Sequence, residues 1–240
     1  MNNKDCSVCS RTLDYHIACS GGIGDALTGL WALLPYMEKY PRRQVTYYTV
    51  SPELCSRVYK DSKHIREFPA HHPNAVNIND DWPKQLASFE NRADWNCKRL
   101  GVEKHTRPKM KRSRGRVIQG DYVLLAPFSS WAPREWSFYN FLHLELMLSR
   151  KGIKCVAIGT EKDKDKLGSF SPQCSWRYGD CADVLVNVVQ NAKVLVCIDS
   201  MPLHLAELLE VPTLCVHSQL SANAITKYYK YAKSITPLRS

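Results

Sequence analysis

A chain of 240 residues, 44% hydrophobic and 23% charged, has ordinary globular composition and is long enough for one large domain or two small ones. No apolar run approaches the roughly 20 residues of a membrane span, and the polar start Met1-Asn-Asn-Lys-Asp-Cys6 does not read as a signal peptide, so a cytoplasmic location is expected. The formal charge of +10 predicts attraction to polyanions, with phosphorylated sugars, an anionic membrane face and nucleic acid all compatible.

Tyr15 to Cys19 reads as a short buried strand. Ser20-Gly21-Gly22-Ile23-Gly24-Asp25 follows as a tight glycine turn into a helix with apolar residues at Ile23, Leu27, Leu30, Leu34 and Met37. Strand, glycine turn and helix suit a phosphate or a sugar, but the third glycine of a dinucleotide fingerprint is missing, Leu27 standing in its place. Val45 to Val50 is the next strand, and Ser51-Pro52-Glu53 opens another helix. Short strands are expected around Ile65–Phe68 and Val76–Ile78, and a largely helical stretch from Trp82 to Leu100.

Between Lys104 and Arg116 seven lysines and arginines follow one another with no acid among them, which reads as a solvated linker and a domain boundary. A second α/β pattern comes after it: strand Tyr122–Ala126, helix Ser137–Ser149, strand Ile153–Ile158 and a helix from Asp183, read as its cap, to Ala192. The last unit, Val194 to His217, is a buried strand ending at Asp199, a helix with Ser200 as N-cap and Pro202 in its first turn, and a second buried strand. Free amides at that helix start would form an anion site at the carboxyl edge of a parallel sheet. Cys19, Cys155, Cys197 and Cys215 fall in predicted strands, where a thiol acts as a small hydrophobe, and all ten cysteines are expected to be reduced. Cys6-x-x-Cys9 has zinc-ligand spacing without a second pair, so no metal site is expected.

Asp199-Ser200-Met201-Pro202-Leu203-His204-Leu205-Ala206 resembles the D-[ST]-G-P-x-H-x-A signature of glycosyltransferase family 9, the ADP-heptose:lipopolysaccharide heptosyltransferases, with Met201 in place of a glycine. Three further blocks are similar to the family in order and spacing: Gly24-Asp25-Ala26-Leu27 with Leu33, Leu34 and Pro35, Leu125 to Trp136, and Val156 to Glu161. The resemblance implies a GT-B type α/β fold, two small doubly wound Rossmann-like domains facing across a cleft, here residues 1–116 on the acceptor side and 117–240 on the nucleotide-sugar side. It implies inverting, metal-independent transfer of a heptose or similar sugar from a nucleoside diphosphate sugar, ADP-linked, to a hydroxyl of an anionic saccharide or lipid-linked acceptor such as lipopolysaccharide core. No cofactor is implied.

Such chemistry needs a base for the acceptor hydroxyl and donors for the departing diphosphate. The resemblance implies Asp25 as the base, although a carboxylate in a Gly-x-Gly-Asp turn also satisfies helix N-terminal amides. Ser129, Ser130, Arg134, Ser200 and Met201 are the candidates at the diphosphate, with Arg134 where the family has lysine. Gly21, Gly22 and Gly24 form the glycine loop. Glu161 is a candidate for ribose hydroxyls, Asp199 orients its loop, and His204 either reaches a phosphate or is a satisfied core histidine. Trp131 or Trp136 would stack on a base or simply pack. The chain is short for the family, most of the loss falling on the first domain. A compact transferase of viral type acting on DNA, or a non-catalytic nucleotide-sugar or nucleic-acid binder on the same fold, therefore stand as alternatives.

Overall fold

The computed structural model describes residues 14–59, 65–67, 74–170, 175–177, 181–218 and 221–237. Cys6 and Cys9 lie outside the described residues.

Two wholly parallel sheets organise the chain. The first has the order β3-β2-β1-β4 and is built from β1 (Asp14–Cys19), β2 (Gln44–Thr49), β3 (Ile65–Glu67) and β4 (Val76–Asn77). The second has the order β10-β9-β8-β5-β6-β7. Its strands are β5 (Val123–Ala126), β6 (Cys155–Gly159), β7 (Ser175–Arg177), β8 (Val194–Ile198), β9 (Thr213–Val216) and β10 (Ala232–Ile235). β6 and β8 read as unbroken apolar runs because a parallel sheet has helices on both faces, and every residue of β6 is buried. Helices serve as crossovers between the parallel strands. In the first unit the crossovers are α1 (Ile23–Lys39) and α2 (Pro52–Ser56), while α3 (Trp82–Ala87) and α4 (Arg92–Leu100) come after β4 and lead to the second unit. In the second the crossovers are α5 (Phe138–Ser149), α6 (Lys164–Leu167), α7 (Ala182–Gln190), α8 (Met201–Leu208) and α9 (Ala222–Thr226).

The helical stretch expected over 82–100 is two helices, broken where the Asn91 side chain accepts the Ala93 amide and caps α4. Gly101 closes α4 in the left-handed region, at φ 65°. β7, α9 and β10, which lack a clear hydrophobic period, were not expected from sequence.

α1 is apolar nearly all round because it is covered on several sides: it packs on β1 and β2, on α4, and across on α8. One apolar core therefore runs from Ile17, Leu27 and Leu30 through Leu203 and Leu205 to Cys215. Pro35 lies inside α1 and has no N–H for the Trp31 carbonyl one turn back; the Thr106 amide takes that carbonyl instead, at 2.9 Å.

That bond is the first of several that correct the reading of residues 104–116 as a solvated linker. Met110 is buried and donates its amide to the Leu208 carbonyl, and the Lys111 amide donates to the Arg57 carbonyl, both at 2.9 Å. Arg107 meets Glu207 at 3.3 Å and Glu210 at 3.2 Å, and Glu207, 1% exposed, also accepts the amides of Lys230 and Tyr231. Two buried amide side chains on α7 hold the next stretch: Gln190 bonds both main-chain groups of Ser113, and Asn187 takes the Val117 amide and donates to the Gly115 carbonyl. The segment is a strap that ties both units to α7 and α8. Asp183 is also not the cap of α7; it lies inside the helix and its carboxylate accepts from Arg57 and from Ser113.

The seven cysteines among the described residues are free thiols, and burial pushes Cys19 up to about 11 and Cys55 to about 12. Among the described residues no helix is long and apolar enough to cross a membrane.

Candidate active site

The carboxyl ends of both sheets open on the same cleft, and the amino-terminal ends of α1 and α8 meet across it. Gly24 marks the contact: a Cβ there would stand 2.7 Å from His204 Cδ2 and 3.6 Å from Met201 Cα. Only a glycine permits the first turn of α1 to approach α8 so closely. A Cβ at Gly21 would collide with the Asp25 carboxylate and the Asn79 amide, so this glycine makes room for the polar groups beside it.

Asp25 stands in the first turn of α1. Its Oδ2 accepts the Gly22 amide at 3.0 Å, the one half of a capping box that a glycine N-cap allows, and its Oδ1 is bound to Arg92. Arg92, 8% exposed, comes from the start of α4 and also donates to the side-chain oxygens of Asn79 and of Gln85, the latter at 3.2 Å. A carboxylate has about four lone-pair directions, so two such bonds leave it able to accept a proton. Arg92, Asn79 and Gln85 were missed from sequence. They lie 54 to 67 residues beyond Asp25 with no motif to join them, and tertiary structure alone brings them to it: β4 pairs with β1 just before Asn79, Gln85 lies on α3, and α4, which begins with Arg92, packs on α1.

Facing Asp25 are residues from the second sheet. Asp199, 4% exposed at the end of β8, lies 3.5 Å from Arg134 Nε and 3.8 Å from His204 Nε2. Arg134 ends a short 3₁₀ turn, Ala132–Arg134, that is held by the Ser218 hydroxyl on the Pro133 carbonyl, and its guanidinium lies over the Trp131 ring at 5.3 Å. His204 Nδ1 is 2.5 Å from the Tyr229 hydroxyl, and burial lowers its pKa against the opposing pull of Asp199 and Asp25. The ring is thus neutral near pH 7. Ser200 has the extended backbone of an N-cap, yet its hydroxyl makes no cap bond; it lies 3.5 Å from the Ile198 carbonyl. Trp136 packs edge-on against Phe141 in the core, whereas Trp131 lines the cleft.

Two adjoining cavities occupy the cleft. One, about 770 Å³, is lined by Gly22 and Gly24, by Ser129, Ser130 and Arg134 after β5, by Thr160 to Asp163 after β6, and by Ser200, Met201 and His204 after β8. It gathers Asp25, Glu161 and all five residues expected at a diphosphate. The other, about 560 Å³, is lined by Gly21, Asn79, Asp80, Asp81, Gln85 and Arg92 of the first unit and by Trp131 and Asp199 of the second. Asp25, Arg134 and His204 line both. The ionic groups of the second cavity are already matched: Asp25 with Arg92, Asp199 with Arg134, and Asp80 and Asp81 with Arg99. Among the described residues one group has metal-ligand spacing, Glu53, Cys181 and Asp183; it is exposed, lines neither cavity, and Asp183 is engaged by Arg57.

Two parallel α/β units with their carboxyl edges and helix starts turned toward one cleft make a GT-B type fold. Residues 84–238 match the family described as glycosyltransferase family 9 (heptosyltransferase), and the chain belongs to that family. Solved structures agree on the fold. The iron-containing dodecameric glycosyltransferase TibC of enterotoxigenic E. coli is 16% identical with a TM-score of 0.67, over 92% of this chain and 63% of that one. The E. coli ADP-heptose lipopolysaccharide heptosyltransferase II is 13% identical with a TM-score of 0.63, over 94% and 91%. A family 9 glycosyltransferase of Veillonella parvula is 14% identical with a TM-score of 0.66, over 94% and 87%. The chain thus spans less than two thirds of TibC. No curated protein sequence matches it significantly.

Proposed function

We propose that this chain is an inverting, metal-independent glycosyltransferase that moves a heptose or similar sugar from a nucleoside diphosphate sugar to an acceptor hydroxyl, with residues 1–116 serving the acceptor and 117–240 the donor. The observation that carries the reading is the shared boundary of the two cavities at Asp25. In the 770 Å³ cavity the diphosphate lies against Ser129, Ser130, Arg134 and the start of α8, whose dipole and guanidinium partner favour the charge that develops on the leaving group. Glu161, beyond the end of β6, takes ribose hydroxyls. The acceptor hydroxyl enters from the 560 Å³ cavity and gives its proton to Asp25 as its oxygen attacks the anomeric carbon. Base and leaving group stand on opposite walls, so attack comes from the face opposite the diphosphate and the configuration inverts.

The likeness to an enzyme named ADP-heptose lipopolysaccharide heptosyltransferase II and to TibC, solved in complex with ADP-D-β-D-heptose, supports an ADP-linked donor. The acceptor is a saccharide or lipid-linked saccharide such as lipopolysaccharide core, anionic as a whole, reached from the cytoplasm. Its reacting sugar is uncharged, because four carboxylates, Asp25, Asp80, Asp81 and Asp199, line the 560 Å³ cavity against the two guanidinium groups of Arg92 and Arg134, and a phosphate there would meet that excess of negative charge.

Mass spectrometry of mixtures offering ADP-heptose and other nucleotide sugars, each with core oligosaccharide, DNA or no acceptor, tests the reading. A glycosylated oligosaccharide with free ADP is expected. Glycosylated DNA would instead establish the viral-type alternative, and donor binding with no product from any pair would establish the non-catalytic one.

A further inference from the structure

A third cavity, about 1170 Å³, shares no lining residue with the two in the cleft. Its walls are the end of α2, the start of α7 and the strap from Lys109 to Val117. Five cations line it against a single carboxylate, that of Asp183. Two of the five are engaged: Arg57 with Asp183 and Lys109 with Glu210, whose carboxyl is held below its ordinary value by that lysine. Lys111, Arg112 and Arg114 are exposed and form no ion pair with any described residue.

A charge run on a free loop would be solvated and would lose entropy on binding anything. This run is fixed beforehand. The amides of Met110, Lys111 and Ser113 donate to the Leu208 carbonyl, the Arg57 carbonyl and the Gln190 side-chain oxygen and hold the strap's backbone at three points. Arg112 is oriented further by its own bond to the Leu209 carbonyl, at 2.7 Å, which uses part of its guanidinium and neutralises none of its charge.

We propose that this groove is an anion site outside the cleft that binds phosphate groups of a saccharide, with Lys111, Arg112 and Arg114 as its cations. The inference rests on the transferase reading only in taking that saccharide to be the acceptor. Guanidinium and ammonium groups held in a concave wall form charge-assisted bonds to phosphate oxygens. The Ser56 hydroxyl on the same wall donates to the Glu53 carbonyl and keeps its oxygen to accept from a neighbouring sugar hydroxyl. Single-stranded nucleic acid fits less well, because it needs successive aromatic platforms and Tyr59 is the one aromatic residue among the described residues that line the groove. The matched charges of the 560 Å³ cavity and the unmatched charges here divide one anionic acceptor between a neutral reacting end and a phosphate-bearing remainder.

The test is calorimetric binding, in the absence of donor, of a phosphorylated core oligosaccharide, the same oligosaccharide after phosphatase treatment, and a single-stranded 20-mer DNA. The proteins are the wild-type chain and the variant Lys111→Gln/Arg112→Gln/Arg114→Gln. Wild type is expected to bind the phosphorylated form about tenfold or more tightly than the dephosphorylated one, as one or two charge-assisted bonds would give. The variant should lose that preference and show a flatter salt dependence. A preference that survives in the variant overturns the site, and tighter binding of DNA than of the phosphorylated oligosaccharide overturns its ligand. ADP binding, measured alongside, is expected to be equal in the two proteins; its absence from both would count against the transferase reading while leaving the groove to stand on the oligosaccharide result.

Discussion

The two strand-to-helix turns that face each other across the cleft have the same backbone plan and opposite chemistry. After β1 the turn is rich in glycine and carries a half-exposed carboxylate, Asp25, with Arg92 behind it. After β8 the turn has no glycine, its carboxylate Asp199 is buried between Arg134 and His204, and a methionine and a proline open the helix. A helix N-terminus attracts anions in both cases. What differs is which anion takes the place. In the first turn the protein's own carboxylate takes the amide of Gly22 and sets its negative charge at the helix start, which disfavours a ligand phosphate there. In the second turn the carboxylate points to side chains, and Ser200 leaves its hydroxyl uncommitted to a cap. One turn is therefore suited to take a proton and the other to hold a phosphate.

Exchanging the carboxylate of the first turn for an amide is the strongest test of that assignment. Asp25→Asn keeps the shape but has one acceptor oxygen for two donors, Gly22 and Arg92, and cannot take a proton, so turnover should fall by about a hundredfold or more with donor affinity kept. Stopped assays of product formation together with ADP calorimetry check it; turnover equal to wild type removes Asp25 from the chemistry. In the second turn, Arg134→Ala should weaken ADP binding by about tenfold or more while leaving adenosine binding unchanged, the scale of a lost charge-assisted bond. Equal losses for both ligands would mean that freeing the buried Asp199 has disturbed the unit rather than the phosphate contact.

How much of this was legible in the sequence depends on how local each feature is. The two turns were, because a strand, a turn and a helix are contiguous and leave a pattern in a dozen residues. Their partners were not. Arg92 looks like any surface arginine opening a helix, and its burial on Asp25 comes from α4 docking on α1. Tyr229, which meets His204, sits in a segment with no periodicity. The strap's backbone was misread as a linker for the same reason: most of its charged side chains are indeed solvated, while the groups that fix the chain between them, Asn187 and Gln190 on α7, and the partner of Arg107, Glu207 on α8, are polar residues inside apolar helices some 70 to 100 positions away. Buried amides and a buried glutamate in such helices were the available signal, since polar groups at core positions need partners.

Arg92 gives the next, smaller effect. Arg92→Gln removes the charge behind Asp25 and frees Asn79 and Gln85, so kcat should fall by about tenfold with the KM for donor unchanged, the signature of a positioning residue. A rise in donor KM with kcat intact would instead place Arg92 in substrate binding. Acid sensitivity probes the second turn in another way. His204 and His105 both have pKa values lowered by burial, so below about pH 6.5 the unfolded chain takes up protons that the folded chain refuses. Stability is full above that pH and declines as pH falls through and below it. Thermal melts from pH 8 to 5 should show that decline, and His204→Gln should flatten it.

The smallest effect expected is at Met201, where the second turn departs from its relatives' pattern. Met201 lines the 770 Å³ cavity as the first residue of α8, directly beside the only amides that helix offers, since Pro202 has none and Leu203 already bonds the Ser200 carbonyl at 3.0 Å. A side chain at that place limits how near a diphosphate comes to the backbone. Met201→Gly should therefore tighten ADP binding. The gain is held to a few-fold, because glycine in a helix's first turn costs about 1 kcal/mol of helix stability and returns some disorder to the loop. Met201→Ala separates the two terms: it clears most of the space at little cost to the helix. If alanine tightens ADP binding as much as glycine or more, the side chain is what obstructs the phosphate. If glycine and alanine both leave it unchanged, the diphosphate does not approach α8 through Met201, and the phosphate-holding role shifts to Ser129, Ser130 and Arg134 on the other wall.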